Sequence, residues 1–210
     1  MVRKGRFIVV EGLEGAGKST AINTIKAYLS EHHITDVITT REPGGTRVGE
    51  IVRQLIKETL DDQPLDPRTE LLLMYASRIQ LVQQVIIPAL DRGCWVVGDR
   101  FELSTWAYQG GGRGLDPQMI AHLSSFCLQD FKPDLTLFLD INPSQGLKRV
   151  KKRGALDRIE QESLDFFMHV REAYHAHIKT QDHVVVIDAG NPLDQVQRAI
   201  QAALFTTLFS

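Results

Sequence analysis

Short apolar runs rich in β-branched residues recur at Phe7 to Val10, Val37 to Thr40, Cys94 to Gly98, Leu135 to Asp140 and Val184 to Asp188. Each is four to six residues long and apolar on both faces, the pattern of strands buried in a parallel sheet. Between these runs the apolar spacing lengthens to that of helices. Ile22, Ile25 and Leu29 follow the first run; Phe167, Val170, Tyr174 and Ile178 precede the last; Val196, Ile200, Leu204 and Leu208 close the chain. Residues three and four apart share a helix face. Strand alternating with helix predicts an α/β fold, a five-stranded parallel sheet with helices on both faces. No repeat and no linker rich in Gly, Ser and Pro divides the chain, so residues 1–210 are expected to form one domain.

Two segments depart from the core pattern. Gln109 to Gly114 holds four glycines in six residues, which predicts a mobile or tightly turned loop. Lys148 to Arg158 holds six basic residues and one acidic residue, a local net of +5. Such a run is either a solvated helix face or a source of cations for a phosphate site.

Composition narrows the picture. The 210 residues are 43% apolar and 24% charged, enough for a full core without staples. A net charge of −2 argues against a protein that coats nucleic acid. Cys94 and Cys127 stand in neither metal-ligand nor redox spacing and are expected to be buried thiols in a reducing compartment. The run Phe7 to Val10 is too short for a signal-peptide core, and no apolar stretch is expected to approach the roughly 20 residues of a membrane span. A cytoplasmic protein without a membrane partner is the expectation. The histidines form no zinc pattern, and His169, His175 and His177 are expected on a solvated helix surface.

The chemistry begins at Gly12-Leu13-Glu14-Gly15-Ala16-Gly17-Lys18-Ser19, which matches G-x-x-x-x-G-K-[ST] at every fixed position. A strand precedes it and a helix follows, as the motif requires. Glycines let backbone N–H groups turn toward phosphate oxygens, and the helix N-terminus adds partial positive charge. Lys18 is expected at the β- and γ-phosphates of ATP, and Ser19 on Mg²⁺. The loop specifies a nucleotide but leaves a kinase and a switch NTPase both open. Guanine-reading Asn-Lys-x-Asp is absent: Asn23, Asn142 and Asn191 do not begin it. The basic run supplies the extra cations that phosphoryl transfer to an acceptor needs, with Arg149 and Arg153 expected on one helix face. That favours a kinase.

Six stretches, the phosphate loop among them, point to one family: Glu11 to Ser19, Thr40-Arg-Glu-Pro-Gly-Gly-Thr46, Ala76-Ser-Arg-Ile-Gln80, Gly98-Asp-Arg-Phe101, Ser104 to Gly114 and Leu156-Asp-Arg-Ile-Glu160. In this order and spacing they resemble thymidylate kinases over nearly the whole chain. The resemblance implies a P-loop nucleoside-monophosphate-kinase fold with a small lid at about 148–160, transfer of the γ-phosphoryl of ATP to dTMP in dTTP biosynthesis, Mg²⁺ as cofactor, and a homodimer, expected through Leu71 to Leu90.

It also implies roles. Arg100 holds the acceptor phosphate, and its planar fork suits that task. Asp99 acts with Ser19 at the magnesium site. Arg78 donates to thymine O4, Thr105 reads the base edge beside Ser104 and Gln109, and Tyr108 fills the place of a ribose 2′-hydroxyl. Glu14 accepts from the sugar 3′-hydroxyl. Arg41 and Pro43 border the pocket, with a cis bond expected at Glu42–Pro43. Where the family stacks a Phe on thymine, this chain has Met74 followed by Tyr75, so either side chain is a candidate to cover the base. Some members carry an arginine in the phosphate loop; here that place is Gly15, so Arg149, Arg153 and Arg158 are the expected catalytic arginines. Competing expectations are a deoxynucleoside kinase and a P-loop ATPase working as a switch.

Overall fold

A computed structural model describes residues 5–58, 63–152 and 154–208. The strands are β1 (Phe7–Gly12), β2 (Val37–Arg41), β3 (Trp95–Asp99), β4 (Leu135–Asp140) and β5 (Val184–Asp188). They form one parallel sheet in the order β2-β3-β1-β4-β5. The helices are α1 (Lys18–Glu31), α2 (Arg47–Lys57), α3 (Pro67–Leu81), α4 (Ile87–Asp91), α5 (Glu102–Thr105), α6 (Pro117–Leu128), α7 (Pro143–Lys151), α8 (Leu164–Ile178) and α9 (Leu193–Leu208). Successive residues of β1 point to opposite faces. Ile8 and Val10 therefore pack with Ile25, Leu29, Phe167 and Leu204, while Phe7 and Val9 pack with Leu81, Ile86 and Leu90. That is the two-faced core the sequence pattern predicts.

Several expectations need correction. β2 and β5 are half-exposed because they lie at the sheet edges, where one flank has no neighbour. The glycine run is not a loop: Trp106–Gly112 forms a π-helical turn continuing α5. A Cβ at Gly111 would collide with Ala173 and lie 2.8 Å from the His169 carbonyl oxygen. These glycines therefore serve close packing of the turn on α8. His175 and His177 are not merely solvated either. His175 contacts the Asp140 carboxylate at 3.1 Å, and His177 stacks on Trp106 with ring centroids 4.3 Å apart. His169 is exposed as expected. Cys94 is buried but Cys127 is only half-buried.

The helical run Pro67–Asp91, α3 and α4 joined by the π-helical turn Val82–Ile86, is long and apolar enough to cross a membrane, contrary to the expectation from sequence. Its Leu81, Val82, Ile86 and Ala89 face the sheet, and its Glu70 and Arg78 are buried in ion pairs. It is a core helix. α7 ends at Lys151, and the helix face expected to join Arg149 to Arg153 turns on a residue outside the described ones. Arg153 itself lies outside them.

Candidate active site

The carboxyl ends of β1, β3 and β2 bring three motifs together, as strand ends do in open α/β sheets. β1 runs into the phosphate loop, β3 ends in Asp99 followed by Arg100, and β2 ends in Arg41 followed by the cis Glu42–Pro43 bond. Between them lies a cavity of about 610 Å³, within the usual range for small-molecule sites. Its lining includes Glu14, Lys18, Ser19, Arg41, Pro43, Met74, Asp99, Arg100, Ser104, Tyr108, Gln109 and Arg149. Twelve residues singled out from sequence thus meet in one place.

The phosphate loop is held from below. Glu11 is fully buried and accepts from the backbone N–H groups of Phe101 (2.9 Å) and Ser104 (3.1 Å) and from the hydroxyls of Ser104 (2.5 Å) and Tyr174 (2.9 Å). It ties β1 to the segment after β3. Leu13 and Ala16 are buried beneath the loop. Lys18 folds back, its Nζ donating to the Gly12 and Leu13 carbonyls at 3.1 Å each. Burial pulls this amine down to about 8, and the charge of Arg100 adds to the effect.

Arg100 is the centre of a second cluster beside the phosphate loop. It sits at φ 69°, a conformation uncommon for residues with a Cβ and concentrated at functional sites. Its guanidinium donates to Glu14 (2.7 Å), Ser104 (3.1 Å) and the hydroxyls of Tyr108 (3.2 Å) and Tyr174 (3.4 Å). The Tyr108 hydroxyl in turn donates to Glu14 at 2.6 Å. Arg100, Glu14 and Tyr108 form a closed, mostly buried triangle facing the phosphate loop.

Arg78 and Thr105 are both fully buried and lie beneath the lining. Arg78 donates to Glu42 (2.7 Å), the Phe101 carbonyl (3.2 Å) and Thr105 Oγ1 (2.9 Å). Its Nη1 and the Oε1 of Glu42 find no partner among the described residues. Burial pushes Glu42 up to about 7 against the opposing charge of Arg78. Met74, packed on Val52 and Ile56, faces the cavity. Tyr75 turns away, its hydroxyl donating to Glu102 and the Ile120 carbonyl. Met74 therefore holds the place beside the expected base.

Arg158 is placed differently from the expectation that it faces the transferred phosphoryl group. It donates to the Glu70 carboxylate and to the Ile56 carbonyl (2.8 Å), and Lys57 pairs with Asp157 at 2.9 Å. The segment 157–160 is clasped to α2 and α3, with Asp157, Ile159 and Glu160 completing the cavity wall. Arg149 stands between the main cavity and a second one of about 210 Å³. It donates to the Gly15 carbonyl (3.3 Å) and the Ala189 carbonyl (3.4 Å).

Sequence reasoning missed Arg53, Glu42 and Glu70 as lining residues. Arg53 donates to the Pro43 carbonyl at 3.1 Å and is held below the usual arginine range by burial and by the charge of Arg41. A signal for Glu70 was available: Glu70, Met74 and Arg78 recur at four-residue spacing with Leu81 following, so two charged groups occupy a core stripe.

The donor set suits magnesium, which prefers hard oxygen ligands and few protein carboxylates. Asp99 Oδ1 is buried and without a partner among the described residues, and the exposed Ser19 lines the same wall. No cluster of three or more His, Cys, Asp or Glu capable of holding a metal occurs among the described residues. An ion here would complete its shell from phosphate oxygens and water.

A parallel sheet carrying a phosphate loop, with a buried arginine pocket beside it, places the chain among P-loop nucleotide-binding proteins. Comparison with known proteins narrows this class. The family model for thymidylate kinase matches residues 10–200. A thymidylate kinase of Legionella pneumophila strain Corby is 58% identical over 200 residues, covering 95% of this chain and 94% of the relative. One from strain Paris is 57% identical with the same coverage. The chain belongs to the thymidylate kinase family.

Proposed function

We propose that the chain transfers the γ-phosphoryl group of ATP to dTMP, giving ADP and dTDP. The observation that carries this reading is Arg100, fixed by Glu14, Ser104 and Tyr108 beside the phosphate loop in a chain of this family. A bidentate cation at the acceptor side suits a monophosphate better than a free hydroxyl.

Roles follow from position. The loop Gly12 to Ser19 holds the donor phosphates, with Lys18 leaving its carbonyl partners to meet the β- and γ-oxygens. The second cavity, lined by Thr20, Arg149, Ala189, Asn191 and Gln197, adjoins the loop and takes the donor's base. Arg100, Arg41 and Arg53 bind the acceptor phosphate. Met74 packs beside thymine, Arg78 is directed to O4 through the network with Glu42 and Thr105, and Gln109 meets the base edge. Tyr108 occupies space a 2′-hydroxyl would need. A dTMP phosphate oxygen attacks the γ-phosphorus as the bond to the β–γ bridging oxygen breaks, so ADP leaves without a covalent enzyme intermediate. Ser19 and Asp99 would hold magnesium, which would supply charge neutralisation at the phosphates. Arg149 and Arg153 are the lid cations for the transferred group, while Arg158 secures the lid. Closure excludes water and suppresses hydrolysis. The reading includes a homodimer.

Release of ADP, measured with a panel of nucleosides and nucleoside monophosphates, tests it. dTMP is expected to exceed thymidine by orders of magnitude, and purine monophosphates to be poor. Equal turnover of thymidine and dTMP would mark a nucleoside kinase, and acceptor-independent hydrolysis a switch ATPase.

A further inference from the structure

Glu70 has no part in the roles above, yet it is a buried carboxylate at the centre of four elements. It sits in the first turn of α3, 1% exposed. Its Oε1 accepts from Gln109 Nε2 at 2.7 Å, and Arg113 of the segment after the π-helical turn lies at 3.4 Å. Its Oε2 accepts from Arg158 of the lid. Burial alone would raise this carboxyl. The hydrogen bond from Arg158, the charge of Arg113 and the Gln109 amide outweigh it and hold the group below the usual glutamate range.

The orientation of a glutamine amide is ordinarily ambiguous, because its oxygen and nitrogen ends look alike. Here chemistry resolves it. An ionised carboxylate has only acceptors, whereas the amide has one donor end and one acceptor end. Contact with Glu70 therefore obliges Gln109 to turn its NH₂ toward that carboxylate, leaving Oε1 as the free end of the amide. That oxygen is buried and finds no partner among the described residues, and Gln109 lines the acceptor cavity.

Resting on the reading of the cavity as the dTMP pocket, we propose that Glu70 is a specificity-determining positioning residue: it fixes the Gln109 amide so that a carbonyl oxygen, and not an NH₂, meets the base. A carbonyl accepts from the N3–H of thymine or uracil. Cytosine presents an unprotonated N3 there, so two acceptors would face each other, and the site rejects it. Discrimination of this kind is strong because the wrong base leaves a buried polar group unpaired. Glu70 lines the same cavity, and its effect on the base runs through Gln109.

The test is the ratio of kcat/KM for dTMP to that for dCMP. In Glu70→Gln the side chain at 70 can donate as well as accept, so the Gln109 amide is free to rotate and offer its NH₂ to cytosine N3. The ratio is expected to fall about tenfold or more. Glu70→Ser, which admits water able to donate, should do the same and serves if the first variant does not fold, as judged by thermal melting. Glu70→Asp keeps an acceptor-only group and should hold the ratio near wild type even if rates drop. Arg158→Met loosens the lid without releasing the amide, so its rates should fall with the ratio unchanged. A ratio within twofold of wild type in a folded Gln or Ser variant overturns the proposal. So does a fall in Arg158→Met or Glu70→Asp as large as that in Glu70→Gln, which would make Glu70 a lid support only. Failure of the wild-type protein to use dTMP would instead remove the substrate reading beneath it.

Discussion

Lys18 illustrates how a single residue is prepared for its ligand. Its neighbours are carbonyl oxygens and the guanidinium of Arg100, and burial holds its amine at about 8, where an exposed lysine lies at 10.5. Protons are then lost from the free protein in the window from about 8 upward. A bound triphosphate places negative charge beside Nζ and favours the charged form, which raises the value again. The complex therefore holds more protons than the free protein above pH 8, so ATP binding takes up protons there and weakens as pH rises. Calorimetry at pH 9 in two buffers of different ionisation enthalpy should detect uptake of a substantial fraction of a proton per ATP, absent in Lys18→Met. Proton release, or none, would show that Lys18 is already fully charged in the free loop.

At the scale of elements, the π-helical turn Trp106–Gly112 shapes one wall of the cavity. π-helical turns recur at functional sites because the extra residue re-aims neighbouring side chains. Here consecutive Tyr108 and Gln109 both line the cavity. The turn holds this geometry by lying directly on α8, at Gly111 in particular, where the nearest backbone atom of the facing helix, the His169 oxygen, would be 2.8 Å from an added Cβ. Gly111→Ala must push the turn off α8. A cost of about 1–3 kcal/mol is expected from such overpacking. For a chain of this size that lowers the melting temperature by roughly 2–4 °C per kcal/mol. An unchanged melting temperature would mean that α8 yields easily and that the glycines serve another purpose.

The whole molecule leaves an apolar surface unexplained by its own core. Val48, Ile51 and Leu55 on α2 and Leu72 on α3 are exposed, two helices that pack together. Exposed apolar groups clustered on one side commonly mark an interface. The expected homodimer would use this side, which narrows the broader stretch Leu71 to Leu90: Leu81, Val82, Ile86, Ala89 and Leu90 are buried in the chain's own core and are not available to a partner. Sedimentation velocity should give a dimer for the wild type and a monomer for Ile51→Glu combined with Leu72→Glu. If the double variant sediments as the wild type does, the partner lies elsewhere.

The amino-acid sequence by itself determined the strand and helix alternation, the phosphate loop and many of the residues that line the cavity, because local periodicity and short contiguous motifs encode them. β4 and β5 fall at their expected bounds and β1 to β3 within one or two residues. Twelve expected lining residues meet in one cavity because they flank the ends of adjacent parallel strands. Tertiary structure decided what depends on contacts between distant segments. The glycine run reads as a flexible loop until α8 is set against it. Met74 and Tyr75 are equivalent candidates until α3 is rotated into the core, which turns one toward the cavity and the other toward Glu102. The partner of Arg158 is invisible in the sequence, because Glu70 lies 88 residues away. Glu70 itself has no motif, since a carboxylate's role is set by which donors surround it. Those donors come from α3's own fold partners: the π-helical turn, the segment after it and the lid.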